Sequence, residues 1–195
     1  MIRGFDGSFP SRVLPFLYLG NLNHASNAYM LHALGIAHVV SVGECALVPP
    51  TPNTHLCPCH FILDIKGVCD DGIDTLEPQL HPICTWIEKA RLSGGQVLVH
   101  CRVGVSRSAT VTIAYVMQHL GLSLVEAYLV VRSRRLSVLI QPNMRLLYNL
   151  LGWEVRLARE RAGADEKKLR EELGRALSWP YLAREVHALN EKYLS

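Results

Sequence analysis

The chain has 195 residues, 49% of them hydrophobic, with 20 basic and 17 acidic side chains and a net charge of +3. That length supports one well-buried core in one domain, and the balanced charge gives no bulk basicity for a nucleic-acid partner. No apolar run reaches the ~20 residues a membrane-crossing helix needs, so no membrane partner is expected, and Met1-Ile2-Arg3-Gly4-Phe5-Asp6 does not read as a signal peptide.

Residues 1–10 carry Gly and Pro and read as a loose lead-in. Val13–Leu19 reads as one extended segment, with Pro15 marking it as an edge strand. Asn23 is the expected N-cap of a helix over His24–Leu34, closed by Gly35. Ala37–Val42 is short, β-branched and apolar, a buried strand of a partly parallel sheet. A Pro-rich loop over 44–52 leads to a further strand within His55–Ile65, and Gly67–Asp74 is a polar loop. Leu76, Leu80, Ile83, Cys84 and Ile87 then recur at helical spacing, with Asp74 as the expected cap and Gly94-Gly95 as the stop.

Val97-Leu98-Val99 is another short apolar strand, and Ala109–Met117 is helix-like. Gly121 ends that helix, and Ser123 with Glu126 forms a capping pattern ahead of Leu124–Arg135. Pro142 is expected in the first turn of a helix running to about Arg159. The tail Ala164–Ser195 holds two helical stretches divided near Ser178-Trp179-Pro180, the second with Tyr181, Leu182, Val186, Leu189 and Tyr193 on one face. Strands alternating with helices predict an α/β domain, a central mixed, mostly parallel sheet flanked by helices. The expected organisation is a lead-in (1–10), a catalytic domain (11–160) and a helical extension (161–195).

The chemistry concentrates in His100-Cys101-Arg102-Val103-Gly104-Val105-Ser106-Arg107-Ser108, a tight loop between a strand and a helix start. Backbone N–H groups at such a junction lack helical partners and, with the helix dipole, favour an anion. A cysteine placed there ionises more readily than an ordinary thiol. Arg107 adds a planar fork for two phosphate oxygens, and Gly104 permits a positive φ and close backbone approach. Together these residues point to cleavage of a phosphate ester. Read singly, Cys101 is an inert buried cysteine and Arg107 a surface cation; the combination argues against both.

The pattern His-Cys-x-x-Gly-x-x-Arg-Ser resembles the signature loop of cysteine-dependent protein tyrosine phosphatases. Leu14-Pro15-Phe16-Leu17-Tyr18-Leu19-Gly20-Asn21, Val39-Val40-Ser41-Val42 and Ile113-Ala114-Tyr115-Val116-Met117 look like its dual-specificity branch, and the resemblance runs from about residue 11 to 155. It implies a protein tyrosine phosphatase-like fold and hydrolysis of phosphotyrosine and phosphoserine or phosphothreonine, with no cofactor and no metal. The implied partners are phosphorylated proteins, met by a monomer. Cys101 would form a cysteinyl-phosphate within a phosphate loop spanning Cys101, Arg102, Val103, Gly104, Val105, Ser106 and Arg107. Ser108 would donate to the sulfur, and His100 would brace the loop.

By the same resemblance Asp70, six residues before Leu76, falls where the general acid belongs, with Asp71 as its rival. Asn143 matches a Pro-Asn pair that steadies the signature loop. The segment Leu136-Ser137-Val138-Leu139-Ile140 makes the approach to Pro142-Asn143 longer than the family pattern. Trp179-Pro180-Tyr181-Leu182 is similar to fungal members.

Two competing functions follow from the same residues. A phosphatase of a phosphoinositide or an RNA end is disfavoured by valines, rather than lysines, at 103 and 105. A pseudophosphatase that binds phosphoproteins without cleavage is disfavoured by the presence of both Cys101 and Arg107. Arg132, Arg134 and Arg135 either line the rim and draw in acidic substrates or are solvated charges at a helix end. His55, Cys57, Cys59 and His60 are too crowded along an extended segment to converge on zinc. Cys69 is a candidate redox partner of Cys101. The six cysteines lack framework spacing and a working thiolate needs reducing conditions, so cytosol or nucleus is expected.

Overall fold

A computed structural model of the chain describes residues 9–45, 61–135 and 137–174, together with positions 184, 187 and 188. Five strands, β1 (Ser11–Leu14), β2 (Leu17–Gly20), β3 (Ile36–Val42), β4 (Phe61–Ile65) and β5 (Gln96–His100), form one sheet in the order β1-β2-β5-β3-β4. Only β1 and β2 pair antiparallel; β2–β5, β5–β3 and β3–β4 are parallel. The helices are α1 (Leu22–Ala25), α2 (Ala28–Ala33), α3 (Glu77–Leu92), α4 (Arg107–Leu120), α5 (Leu124–Arg134), α6 (Met144–Ala162) and α7 (Glu166–Leu173). The expected α/β class, with a mixed and mostly parallel sheet between helices, is what the chain adopts.

Side chains alternate along each strand, and both faces of the sheet are covered. Leu17, Leu19, Val40, Val42, Val97 and Val99 pack into the larger core with α3, α4, α5 and α6. Tyr18, Val39 and Leu98 face the other way, against Ala25 and Leu31 of α1 and α2. Two-sided burial is why Val97-Leu98-Val99 is apolar without interruption. Helix α4 runs through the middle of the larger core and buries every residue from Arg107 to Met117. No single helix among the described residues is long and apolar enough to cross a membrane; α4 and α5, bent by 116° across their junction, reach that threshold only together.

Several local expectations give way to tertiary structure. The single strand over Val13–Leu19 is a hairpin, with Pro15 in the turn, where its fixed φ helps and its missing N–H costs nothing. The helix over His24–Leu34 breaks into α1 and α2, because Asn21 and Asn27, not Asn23, each cap a new start. Asp74 does not cap α3; it accepts from Cys69 N at 2.7 Å. Buried Asn149 holds the residues ahead of α3 through Oδ1, accepting from Leu76 N at 2.9 Å and Thr75 Oγ1 at 3.1 Å, and Thr75 Oγ1 in turn accepts from Glu77 N at 3.2 Å. Pro142 lies outside α6, directly before its cap Asn143. Ser123 and Glu126 form the expected capping box of α5. The His55–His60 cluster and the tail apolar face of Tyr181, Leu182, Val186, Leu189 and Tyr193 lie outside the described residues.

Candidate active site

Strands β2, β3, β4 and β5 run parallel, so their carboxyl ends at Gly20, Val42, Ile65 and His100 share one edge of the sheet. Ligands of open parallel sheets bind at that edge. The loops leaving these ends carry Gly43, Val68, Asp70 and Cys101–Ser106. Residues distant in sequence therefore meet because the strands that launch them are neighbours.

Cys101 is buried where β5 gives way to the loop before α4. Its Sγ accepts from Gly104 N at 3.2 Å and lies 3.1 Å from Ser108 Oγ. Gly104 has φ +79°, and a Cβ there would run into the carbonyl oxygen of Gly20 and the guanidinium of Arg135. Ser106 is the N-cap of α4, but its side chain makes no cap bond, because its hydroxyl donates to Asp70 Oδ1 at 2.7 Å. The cap side chain thus leaves the first amides of α4 for an anion in front of them.

Arg107 begins α4 and is 9% exposed. One end of its fork is fixed, with Nη1 donating to Val68 O at 3.0 Å. Its buried Nε has no hydrogen-bond partner among the described residues. A buried charged donor without a partner is costly, and an oxyanion in the loop would satisfy it. Gly43 makes room for this side chain: a Cβ at Gly43 would overlap Arg107 Nη1.

Asp70 and Asp71, adjacent in sequence, have different surroundings. Asp70 Oδ1 accepts from Ser106 Oγ and from Asn143 Nδ2, each at 2.7 Å, and its Oδ2 accepts nothing among the described residues. Asp71 turns back into its own loop, where Oδ1 accepts from Ile73 N at 2.9 Å and Asp74 N at 3.1 Å. Those amide bonds hold the Asp71 carboxyl below its ordinary value. Among the described residues Asp71 makes no hydrogen bond to the phosphate loop, whereas Ser106 and Asn143 both reach Asp70. Asn143 also donates from its backbone to Ser106 Oγ at 3.3 Å, and Gln141 N donates to Val105 O at 2.7 Å.

His100 is fully buried, with Nε2 2.6 Å from Ser41 Oγ. Burial pushes its imidazole down to about 4, so it is neutral at pH 7 and braces rather than titrates. Sequence reasoning missed Ser41, although a hydroxyl inside Val39-Val40-Ser41-Val42 is a buried donor that needs a partner. Arg135 departs most from expectation. It is 2% exposed and neither lines a rim nor meets solvent. Its Nε donates to Gly104 O at 2.8 Å, and its Nη1 to Leu19 O and Ser11 Oγ, both at 3.1 Å. Burial lowers this guanidinium from its ordinary value while the charge of Cys101 opposes that shift. Arg132 turns inward as well, its Nη1 donating to Arg135 O at 2.9 Å.

Cys69 is exposed, and the Asp74 carboxylate pushes its thiol up, which works against a thiolate that could pair with Cys101. The ligand atoms of Cys69, Asp71 and Asp74 lie within 4.8 Å of one another, but both carboxylates already accept backbone amides of the same loop. That cluster is explained as a turn.

The family model for the dual specificity phosphatase catalytic domain matches residues 17–156. The dual specificity protein phosphatase PPS1 of Saccharomyces cerevisiae is 33% identical over 235 aligned positions, covering 96% of this chain and 28% of that protein. Human dual specificity protein phosphatase 16 is 35% identical over 158 positions, covering 81% of this chain and 23% of that one. The chain thus spans about a quarter of the length of these curated relatives. Among solved structures, human DUSP28 aligns with a TM-score of 0.67 and 34% identity over 76% of this chain and 94% of its own. DUSP15 aligns with a TM-score of 0.61 and 28% identity over 86% of this chain and 97% of its own.

Proposed function

The chain belongs to the dual-specificity phosphatase catalytic-domain family, and on that premise we propose that it hydrolyses phosphotyrosine and phosphoserine or phosphothreonine in proteins through a cysteinyl-phosphate. The observation that carries this is Cys101 Sγ under the Gly104 amide, at the head of a helix whose N-cap hydroxyl is engaged elsewhere.

The thiolate of Cys101 attacks phosphorus and forms the S–P bond while the bond to the ester oxygen breaks. The departing oxygen takes a proton from Asp70, whose free Oδ2 is the oxygen able to deliver it. Water then attacks phosphorus, Asp70 removes its proton, and the S–P bond breaks to return the thiolate. Ser108 Oγ, 3.1 Å from the sulfur, donates to it as it leaves. Arg107 Nε and the first amides of α4 hold the phosphoryl oxygens as charge shifts among them. Ser41, His100 and Arg135 position the loop without touching the reacting atoms. A nucleophilic thiol favours a reducing compartment, cytosol or nucleus.

The test is turnover of an aryl phosphate. Wild-type protein is expected to release phosphate in a vanadate-sensitive reaction, and Cys101→Ser to release none while still binding inorganic phosphate. Wild-type protein that binds phosphate but cannot cleave the ester would favour the pseudophosphatase instead.

A further inference from the structure

The mechanism explains how phosphate is held but not what surrounds it. Three polar anchors fix the segment between α5 and α6 against the phosphate loop. Arg135 Nε is bound to Gly104 O, Gln141 N to Val105 O, and Asn143 Nδ2 to Asp70. Leu139 lies between the first two anchors and is 50% exposed. Met144, directly after the third, is 80% exposed, and Val103 within the phosphate loop is 59% exposed. One helical turn beyond Met144, on the same face of α6, Tyr148 is 66% exposed. Exposed apolar side chains are therefore carried by the phosphate loop, by the segment anchored to it and by the first turns of α6.

Of the cations considered for recognising acidic substrates, Arg135 is buried and Arg132 is bound to Arg135 O. Arg102, exposed in the phosphate loop, faces Glu44 at 3.7 Å, which offsets its charge. Arg145 is the one exposed guanidinium among the described residues of the α5–α6 segment and first α6 turn. Surface leucine, methionine and valine scattered singly need no explanation, but four that adjoin a binding site mark a contact. Met144 and Tyr148 are separated by ~6 Å of helix rise, about two residues of an extended polypeptide.

Resting on the phosphatase reading, we propose that Val103, Leu139, Met144 and Tyr148 form a docking track for the substrate polypeptide, selecting phosphorylated residues flanked by apolar side chains over those flanked by acidic ones. The occupant is continuous with the phosphoryl group in the loop. Extended substrate chain leaving the phosphorylated residue crosses Leu139 and Met144 first and Tyr148 next.

The experiment compares two phosphotyrosine peptides differing only in the flanking residues, leucine in one and aspartate in the other. Each kcat/KM is divided by that for p-nitrophenyl phosphate, which is too small to span the track. Wild-type protein is expected to prefer the leucine peptide about tenfold, through KM, equivalent to ~1.4 kcal/mol. Leu139→Asp with Tyr148→Ser should remove most of that preference. Equal rates, an acidic preference, or a preference that survives the double substitution would each overturn the track. Because wild-type peptides alone can refute it, misfolding of the variant does not shelter it. Failure to cleave p-nitrophenyl phosphate at all would instead sink the phosphatase reading.

Discussion

Ser106 Oγ donates to Asp70 Oδ1 over 2.7 Å, joining the loop that follows β4 to the loop that follows β5. Asn143 Nδ2 meets the same oxygen at the same distance from a third element. The Asp70 carboxyl is thereby held against the phosphate loop from two sides, with one carboxylate oxygen unbonded among the described residues. Asp70→Asn is expected to slow alkyl phosphates on the order of 100-fold or more and p-nitrophenyl phosphate far less, because only a poor leaving group needs the proton. Steady-state kcat across leaving groups of graded pKa checks this, and an equal loss for all of them would remove Asp70 from the role. Asp71→Asn should leave the gradient intact.

Gly43 lies across the loop edge from Arg107 and has φ +88°. Gly43→Ala forces a Cβ onto Arg107 Nη1 and strains the backbone as well. The guanidinium must leave Val68 O, and the phosphoryl clamp moves with it. A fall in kcat/KM on the order of 100-fold is expected. Weaker inorganic-phosphate binding by calorimetry should accompany it.

Arg135 fastens the hinge of the phosphate loop to β2 and to Ser11 through three hydrogen bonds. Arg135→Ala leaves buried carbonyls of Gly104 and Leu19 unpaired and should cost roughly 3 kcal/mol in denaturant unfolding. Arg135→Lys should recover little of it, since one ammonium cannot reach partners disposed around a planar fork. Both variants should lower kcat even where folding is complete.

His100 gives the fold an acid-side weakness. Its imidazole stays neutral in the folded protein down to about 4, whereas an unfolded chain protonates it near 6.5. Below 6.5 the unfolded state binds more protons, so stability falls as pH drops toward 4, by roughly 3 kcal/mol in all. Glu88, held at about 2 chiefly by its bonds from Arg91, adds a separate loss between 4.5 and 2. Urea midpoints of His100→Asn compared with wild type between pH 7 and 4.5 should show the first decline flattened in the variant. An unchanged slope would remove His100 as its source.

Much of this protein is written in local sequence. The uninterrupted Val97-Leu98-Val99, the Ser123–Glu126 capping box and the His-Cys-x-x-Gly-x-x-Arg-Ser loop each depend on residues within one turn or strand of one another, so their conformations follow from neighbours alone. Contacts over long separations were not legible in that way. Arg135 looks like a solvated helix-end charge until β2 and the phosphate loop close around it. Asn149, not Asp74, holds the start of α3 because α6 packs there. The two aspartates at 70 and 71 were separated in the sequence by resemblance alone; their surroundings differ because Ser106 and Asn143, which lie 36 and 73 residues from Asp70, reach only that one. Periodicity and backbone preference act over a few residues, and they marked most of the elements and the loop that carries Cys101. Pairing of buried polar groups acts through space, and it alone decided which side chains hold that loop in place.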